Sequence, residues 1–448
     1  MMMGRRDIAT AVLALTVGLA NAPAKSEDAR PAAGSLYRDA GETVTGAAPL
    51  RESVGISANP AATEDTAGTG WLGRQLGLPD GVKLGGVWVS AGNYLLSGGV
   101  DPGASFNSQL VVDMLVDLER TAGLTGASFG VQFLQLNTQP TNDDAGSVLG
   151  YIGLDGAPPL DRSQLTQIWL RQELFDERFI VRVGKSNPGA DFANVIQPIR
   201  TTNHGRDIDT VTSLLYGPIL PPATLYGVLP GYYDTAYGVT STWAPNEQHY
   251  ISYAVFDWNQ ARGVATGLRG PEFNGYYFQI AEAGVNWLLG PENKPGSFAV
   301  GGWLQTGELT AENGVTEDGA TGFYAIGSQQ LWYRDPEPTN NAGISAFFQF
   351  GWNQSKTLPV ETYVGAGLTF RALIRSRPED SFGIGMAWGW LEPNDYEVDS
   401  ELMFQAYYQA HVSGPIYTES ALSYIPTPGA EPDLPAAWAV TQQLIVPF

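Results

Sequence analysis

The side chains in this sequence that could do chemistry are carboxylates, guanidinium groups and amides set at every second position of apolar segments. In QLVVDMLVDLER, residues 109–120, Leu110, Val112, Met114, Val116 and Leu118 make one face, and Asp113, Asp117 and Glu119 lie on the other. Residues 164–174 set Gln167, Trp169, Arg171 and Glu173 opposite Ile168, Leu170 and Leu174, and Arg182 stands between Val181 and Val183. This spacing puts acids and bases on one strand face, where they can hydrogen-bond to a solute that passes without reaction. Plainer readings stand beside it. Asp113, Asp117 and Glu119 also fit solvated wall charges. Arg171 and Glu173 fit a hydrated ion pair, worth about 0 to 1 kcal/mol. Trp169 and Tyr237 fit wall or girdle aromatics as well as rings that stack on the apolar face of a solute.

The marks of catalysis are weak. Histidine occurs only at positions 204, 249 and 411, no HExxH motif is present, and cysteine is absent. A zinc site, a serine triad and a thiolate nucleophile therefore lack their usual signs, and the reading is a non-enzyme with no metal and no cofactor. His411 shares an alternating segment with Tyr407 and Gln409 and reads as one more polar wall group. Gly267, Gly270, Gly365 and Gly367 read as sites of close packing or strand bending, not as a phosphate cradle.

The elements that must hold these positions are strands. From Val82 onward, segments of about ten residues with alternate apolar positions are separated by Gly, Pro, Asn and Asp clusters. Sixteen such segments run from 82–96 to 434–448, with 108–120, 126–137, 164–174 and 178–186 carrying the charged positions. Short links at 121–125, 174–177 and 244–246 alternate with long ones at 138–163 and 187–231. An even strand number with short and long connections in turn describes a transmembrane antiparallel β-barrel, short turns in the periplasm and long loops outside. The final segment, LPAAWAVTQQLIVPF, agrees: Trp438, Val440, Gln442, Leu444 and Val446 alternate up to Phe448. A barrel of this size is wide enough to leave an aqueous channel lined by the polar faces. The long connection at 187–231, carrying Arg200, His204, Arg206, Asp207 and Asp209, is expected to fold inward and narrow it.

Composition is consistent with this. Of 448 residues, 43% are hydrophobic and 16% charged, with 54 glycines and 30 prolines, a profile of strands and turns. The 46 acidic residues against 24 basic ones give a net charge of −22, which argues against nucleic acid as a partner. After the N-terminus, no apolar run approaches the roughly 18 residues a spanning helix needs. Arg5 and Arg6, the uncharged stretch Ile8 to Leu19 and the small residues up to Ala24 read as a signal peptide over 1–24. Residues 25–80 read as a mobile periplasmic segment with one helical turn in WLGRQLGL, and 81–448 as the barrel.

Four stretches carry a resemblance: DMLVDLERTAGLTGASFGVQF, QLTQIWLRQELFDERFIVRVGKSNPGADFANV, LPGYYDTAYGV and AYYQAHVSGPIYTESALSYIPTPG. Together they resemble the carbohydrate-selective porins of Gram-negative outer membranes, the OprB type, across residues 71–448. The resemblance implies a sixteen-stranded barrel for passive diffusion of sugars, with small sugars and outer-membrane lipids as partners and a homotrimer as the assembly. By matching segment it implies a constriction at Asp117, Glu119, Arg171 and Arg182. One departure stands at QFLQLNTQ, where Gln132, Gln135 and Asn137 occupy the place of a charged pair in glucose-passing relatives. The pore-lining candidates are thus Asp113, Asp117, Glu119, Gln132, Trp169, Arg171, Glu173, Arg182, Arg200 and Arg206. The alternatives are a general or anion-passing porin, or a structural barrel with a closed lumen.

Overall fold

The computed structural model describes residues 71–448 apart from 156–159, 176–177, 196–211, 220, 231–234, 247, 259–267, 269, 312 and 336–341. The expected signal peptide and most of the N-terminal segment lie outside the described residues, as do Arg200, His204, Arg206, Asp207 and Asp209. A short helix, α1 (Trp71–Gln75), stands where the WLGRQLGL turn is expected.

Sixteen strands then follow in chain order. They are β1 (Val82–Ser97), β2 (Ala104–Asp117), β3 (Ala127–Asn137), β4 (Asp161–Leu174), β5 (Phe179–Ser186), β6 (Ala236–Trp243), β7 (His249–Asp257), β8 (Tyr277–Leu289), β9 (Lys294–Thr310), β10 (Thr316–Tyr333), β11 (Gly343–Asn353), β12 (Val360–Arg371), β13 (Ser381–Leu391), β14 (Ser400–Ser413), β15 (Ile416–Ile425) and β16 (Ala437–Pro447). Each pairs antiparallel with its sequence neighbours, and β1 pairs with β16 to close the barrel. Closure leaves no strand edge unpaired, the condition a sheet must meet in hydrocarbon, where water cannot satisfy backbone groups.

The two faces separate by residue type. Leu170, Val183, Ile251, Val300, Phe323 and Ile384 are exposed on the outer wall, an arrangement that only lipid makes favourable. Aromatic pairs sit near both ends of it: Phe370 stacks on Phe382 with ring centroids 4.7 Å apart, and Tyr424 on Trp438 at 4.2 Å. The turns on the side where β1 starts range from 414–415 between β14 and β15 to 372–380 between β12 and β13. The opposite side carries the long connections after β3 and β5 but also links as short as 311–315, so the expected alternation of short and long holds only in part.

The interior corrects one expectation. It is not lined by polar groups alone, because the connections after β3 and β5 fold into the barrel and pack an apolar core against the wall. Leu149, Tyr151, Ile152, Leu215, Tyr216, Ile219 and Tyr226 from these connections are buried with Val89, Phe347, Tyr363, Met403 and Ile445 of the strands. Phe192, Leu225 and Val228 do the same against Phe256, Phe278, Trp303 and Tyr324. The two connections also join each other: Gly153 N–H donates to the Leu215 carbonyl at 2.6 Å and Gly217 N–H to that of Gly150 at 2.8 Å. Buried backbone has to find partners, and these bonds let loop chain run through the lumen. The expected inward fold of the 187–231 connection therefore holds over its described parts. The equal inward fold of 138–160 has no period to announce it. Gly365 and Gly367 are packing glycines, since a methyl at either would meet the Tyr363 or Phe347 ring.

Candidate functional site

Two arginines on adjacent strands form the centre of the site. Arg171 on β4 stands directly opposite Arg182 on β5 in the ladder, and both side chains are almost fully enclosed. Like charges at that spacing repel, and each has its own carboxylate. Arg171 Nη1 lies 2.9 Å from Glu173 Oε1. Arg182 pairs with Asp191: Nη2 donates to Oδ1 at 3.2 Å, and Nη1 lies 3.0 Å from Oδ2 as an ion-pair contact, a charge-assisted bond stronger than a neutral one. The Arg182 guanidinium also lies over the Trp169 ring, its Cζ 5.1 Å from the centroid, an electrostatically favourable placement. Trp169 fits because its neighbour on β3 is Gly130, where a methyl would overlap the indole.

β4 reaches this arrangement through a change of phase. Its register with β3 skips one residue, Gln132 pairing with Gln167 and Phe133 with Leu165. Such a bulge turns side chains to the other face. Arg162, Gln164 and Thr166 are buried on one side of it and Gln167, Trp169 and Arg171 on the other. Thr166 and Gln167 therefore both reach Gln132, at 2.9 and 3.0 Å from its Oε1, and Gln132 Nε2 donates to Asp113 Oδ1 at 2.9 Å. Gln167 Oε1 accepts from the Asn187 N–H at 3.3 Å, so this amide chain links β2 to the exit of β5. Lys185 is buried beside it, with Nζ donating to the Thr166 carbonyl at 3.2 Å and to Thr235 Oγ1 at 2.8 Å.

The structure thus brings together Asp113, Gln132, Trp169, Arg171, Glu173 and Arg182. It does not bring Asp117 and Glu119 to them. β2 ends at Asp117, which caps a short helix, α2 (Leu118–Ala122), by accepting the Arg120 N–H at 3.0 Å, while Glu119 Oε2 accepts the Gly126 N–H at 2.9 Å. Both carboxylates serve the β2–β3 turn, because a helix start leaves N–H groups that need acceptors. On the lumen face of β2, Val111 and Leu115 accompany Gln109 and Asp113. Gln135 and Asn137, read as part of a less charged constriction, are exposed on the opposite parity from Gln132. Tyr237 is partly exposed and its hydroxyl contacts the Leu268 carbonyl at 3.5 Å, away from the arginines. The string GASFG at 126–130 spells GxSxG, but Ser128 sits within β3 opposite Arg171 and not on the strand-to-helix elbow that such a nucleophile requires. Among the described residues, no cluster of metal-ligating side chains occurs.

Three groups have no role in the sequence reading. Asp191 lies in PGADFAN, outside any alternating segment, so its partnership with Arg182 appears only once the loop folds back. Glu282 on β8 accepts from Tyr250 Oη at 2.6 Å, Tyr324 Oη at 2.7 Å and Ala193 N at 2.8 Å. Glu401 on β14 accepts from Ser147 Oγ at 2.6 Å and from the N–H groups of Val148, Leu149 and Gly429 at 2.8, 3.1 and 2.7 Å. A lone acid among inward apolar positions, as in YFQIAEAGV, is the signal that could have found Glu282. In the loops, burial pushes the Tyr151 and Tyr216 hydroxyls well above their usual range, so both stay neutral, and Tyr216 donates to the Met386 carbonyl at 3.4 Å.

A sequence profile described as carbohydrate-selective porin, OprB family, matches residues 102–441. Porin B of Pseudomonas aeruginosa is 21% identical over 404 residues, covering 78% of this chain and 83% of that protein. The high-pH structure of Pseudomonas putida OprB superimposes with a TM-score of 0.69 at 17% identity, over 82% of this chain and 94% of that one. The low-pH structure of the same protein gives 0.52 at 16% identity, over 82% and 93%. A closed barrel with an apolar outer band, matched to that profile across most of its strands, is an outer-membrane channel, and this chain belongs to the carbohydrate-selective porin family of OprB type.

Proposed function

We propose that neutral sugars and similar small polar solutes cross this porin along the β2–β5 side of the lumen, past the paired arginines. The observation that carries the reading is that Arg171 and Arg182 stand side by side while Glu173 and Asp191 neutralise them. A ring of bare arginines would select anions. Paired ones give a wall of little net charge in which Glu173, the member that keeps partial exposure, offers an acceptor, and this suits hydroxyl groups better than ions of one sign. Gln132 and Asp113 extend the same chemistry along the wall. Asp113 and Glu173 are among the wall residues that keep partial exposure, which supports a water-filled path on this side.

Liposome swelling tests the reading, with glucose, a disaccharide and a zwitterionic amino acid of similar size compared in vesicles holding purified protein. Arg182→Ala is expected to change the glucose rate by roughly two-fold or more and to narrow the difference between glucose and the amino acid. If no solute enters through the unaltered protein, the barrel is closed and the channel role fails for it. If all three enter equally with and without Arg182, the lumen is a general pore.

A further inference from the structure

Resting on that reading, we infer that Glu282 is a positioning residue for the Arg182–Asp191 pair, acting through the backbone of the segment that enters the barrel after β5. Asp191 is not a wall residue. Its carboxylate reaches Arg182 from a segment, residues 187–193, that described bonds hold at its start and at its far end. At the start, Asn187 N–H is bound by Gln167 of β4, and the Asn187 side chain accepts the Gly189 N–H at 2.9 Å. The N–H groups of Asp191 and Phe192 return to the Pro188 carbonyl at 3.0 and 2.9 Å, closing a compact turn. At the far end, Ala193 N–H donates to Glu282 Oε2. Asp191 hangs between these anchors, two residues from the second.

Three further observations assign the second anchor to Glu282 in particular. Glu282 is 3% exposed, and a carboxylate in such a place is costly without donors. Tyr250 of β7 and Tyr324 of β10 supply two, which orient the carboxylate toward the loop instead of the open lumen. Ala193 adopts φ 56°, a left-handed conformation that is strained for a non-glycine residue. The strained turn persists because Ala193 and Phe192 are sealed against β6 to β8 and its N–H points at the carboxylate. A shift at Ala193 therefore moves Asp191 and turns the Arg182 guanidinium off Trp169.

The test is a double-mutant cycle on the full-length porin in planar bilayers, reading reversal potential in a KCl gradient and single-channel conductance. Glu282→Ala is expected to shift the reversal potential in the same direction as Asp191→Ala. The double variant is expected to match Asp191→Ala alone, because the two act on one pair. Additive shifts would show that Glu282 acts by its own field and would overturn the inference. Where Glu282→Ala does not assemble, Tyr250→Phe with Tyr324→Phe takes its place in the same cycle; these lose only two hydroxyls, and wild-type selectivity from that folded variant would equally overturn it. Arg182→Ala separates the levels. If it leaves selectivity unchanged, the sugar-path reading fails; if it alters selectivity while the cycle is additive, only the role of Glu282 fails.

Discussion

Trp169 shows what a single residue contributes at this site and how little room it has. It lies in a slot made by Gly130 and beneath the Arg182 guanidinium, so its ring is a stiff floor that keeps the arginine extended. Gly130→Ala is expected to push the indole out of the slot and release Arg182. Tryptophan fluorescence should report a more solvated ring, and channel conductance should change by roughly two-fold, with barrel assembly unaltered. An unchanged conductance with a displaced ring would show that Arg182 is held by Asp191 alone. At this scale the sequence shows Trp169, Arg171, Glu173 and Arg182 on one face, since alternation is local. It cannot show that Asp117 and Glu119 belong to a turn, because a strand and a helix cap carry the same alternating letters; β2 gives way to α2 at Asp117, and the left-handed Gly123, φ 73°, ends that helix.

At the scale of elements, the described parts of the two inward connections hang from carboxylates on distant strands, Glu401 on β14 and Glu282 on β8. Glu401 holds the connection after β3 through Ser147, Val148 and Leu149, and also Gly429 of the connection before β16. Hydrogen bonds to a buried charge contribute about 1.5–3 kcal/mol each, and losing several at once leaves the donors unsatisfied. Glu401→Ala is expected to free the 138–160 connection, raising open-channel noise and the rate of proteolysis within it. Glu401→Gln should keep part of the effect, because one oxygen remains to accept. Intact protease resistance in Glu401→Ala would show that the connection is held by its own packing. These anchors were not legible in the sequence: residues 147 and 401 lie more than 250 positions apart, and a single acid near a strand start looks like any rim charge.

The whole molecule depends on the contrast between its two wall faces. Val300 lies exposed near the middle of β9, between Ala325 and Ala283 on the neighbouring strands. Val300→Arg is expected to destabilise the barrel by about 2–4 kcal/mol when folding into lipid vesicles is measured, the usual effect of a cation at mid-membrane. A loss near zero would place that part of β9 in contact with water or another protein surface.

The number of strands, their order and the long connections after β3 and β5 are determined by the sequence alone, because each follows from a two-residue period or a turn residue acting on its neighbours. Family membership was also legible, through stretches around the β4–β5 hairpin. What only the tertiary structure decided is how the lumen is filled. Asp191 on Arg182, Glu282 on Ala193 and Glu401 on three loop groups are contacts between residues that no period relates, and the bulge in β4 appears only when the strand meets β3. Strand pairing is set by local pattern, whereas the position of a loop inside a barrel is set by which distant donors its backbone must find once water is gone.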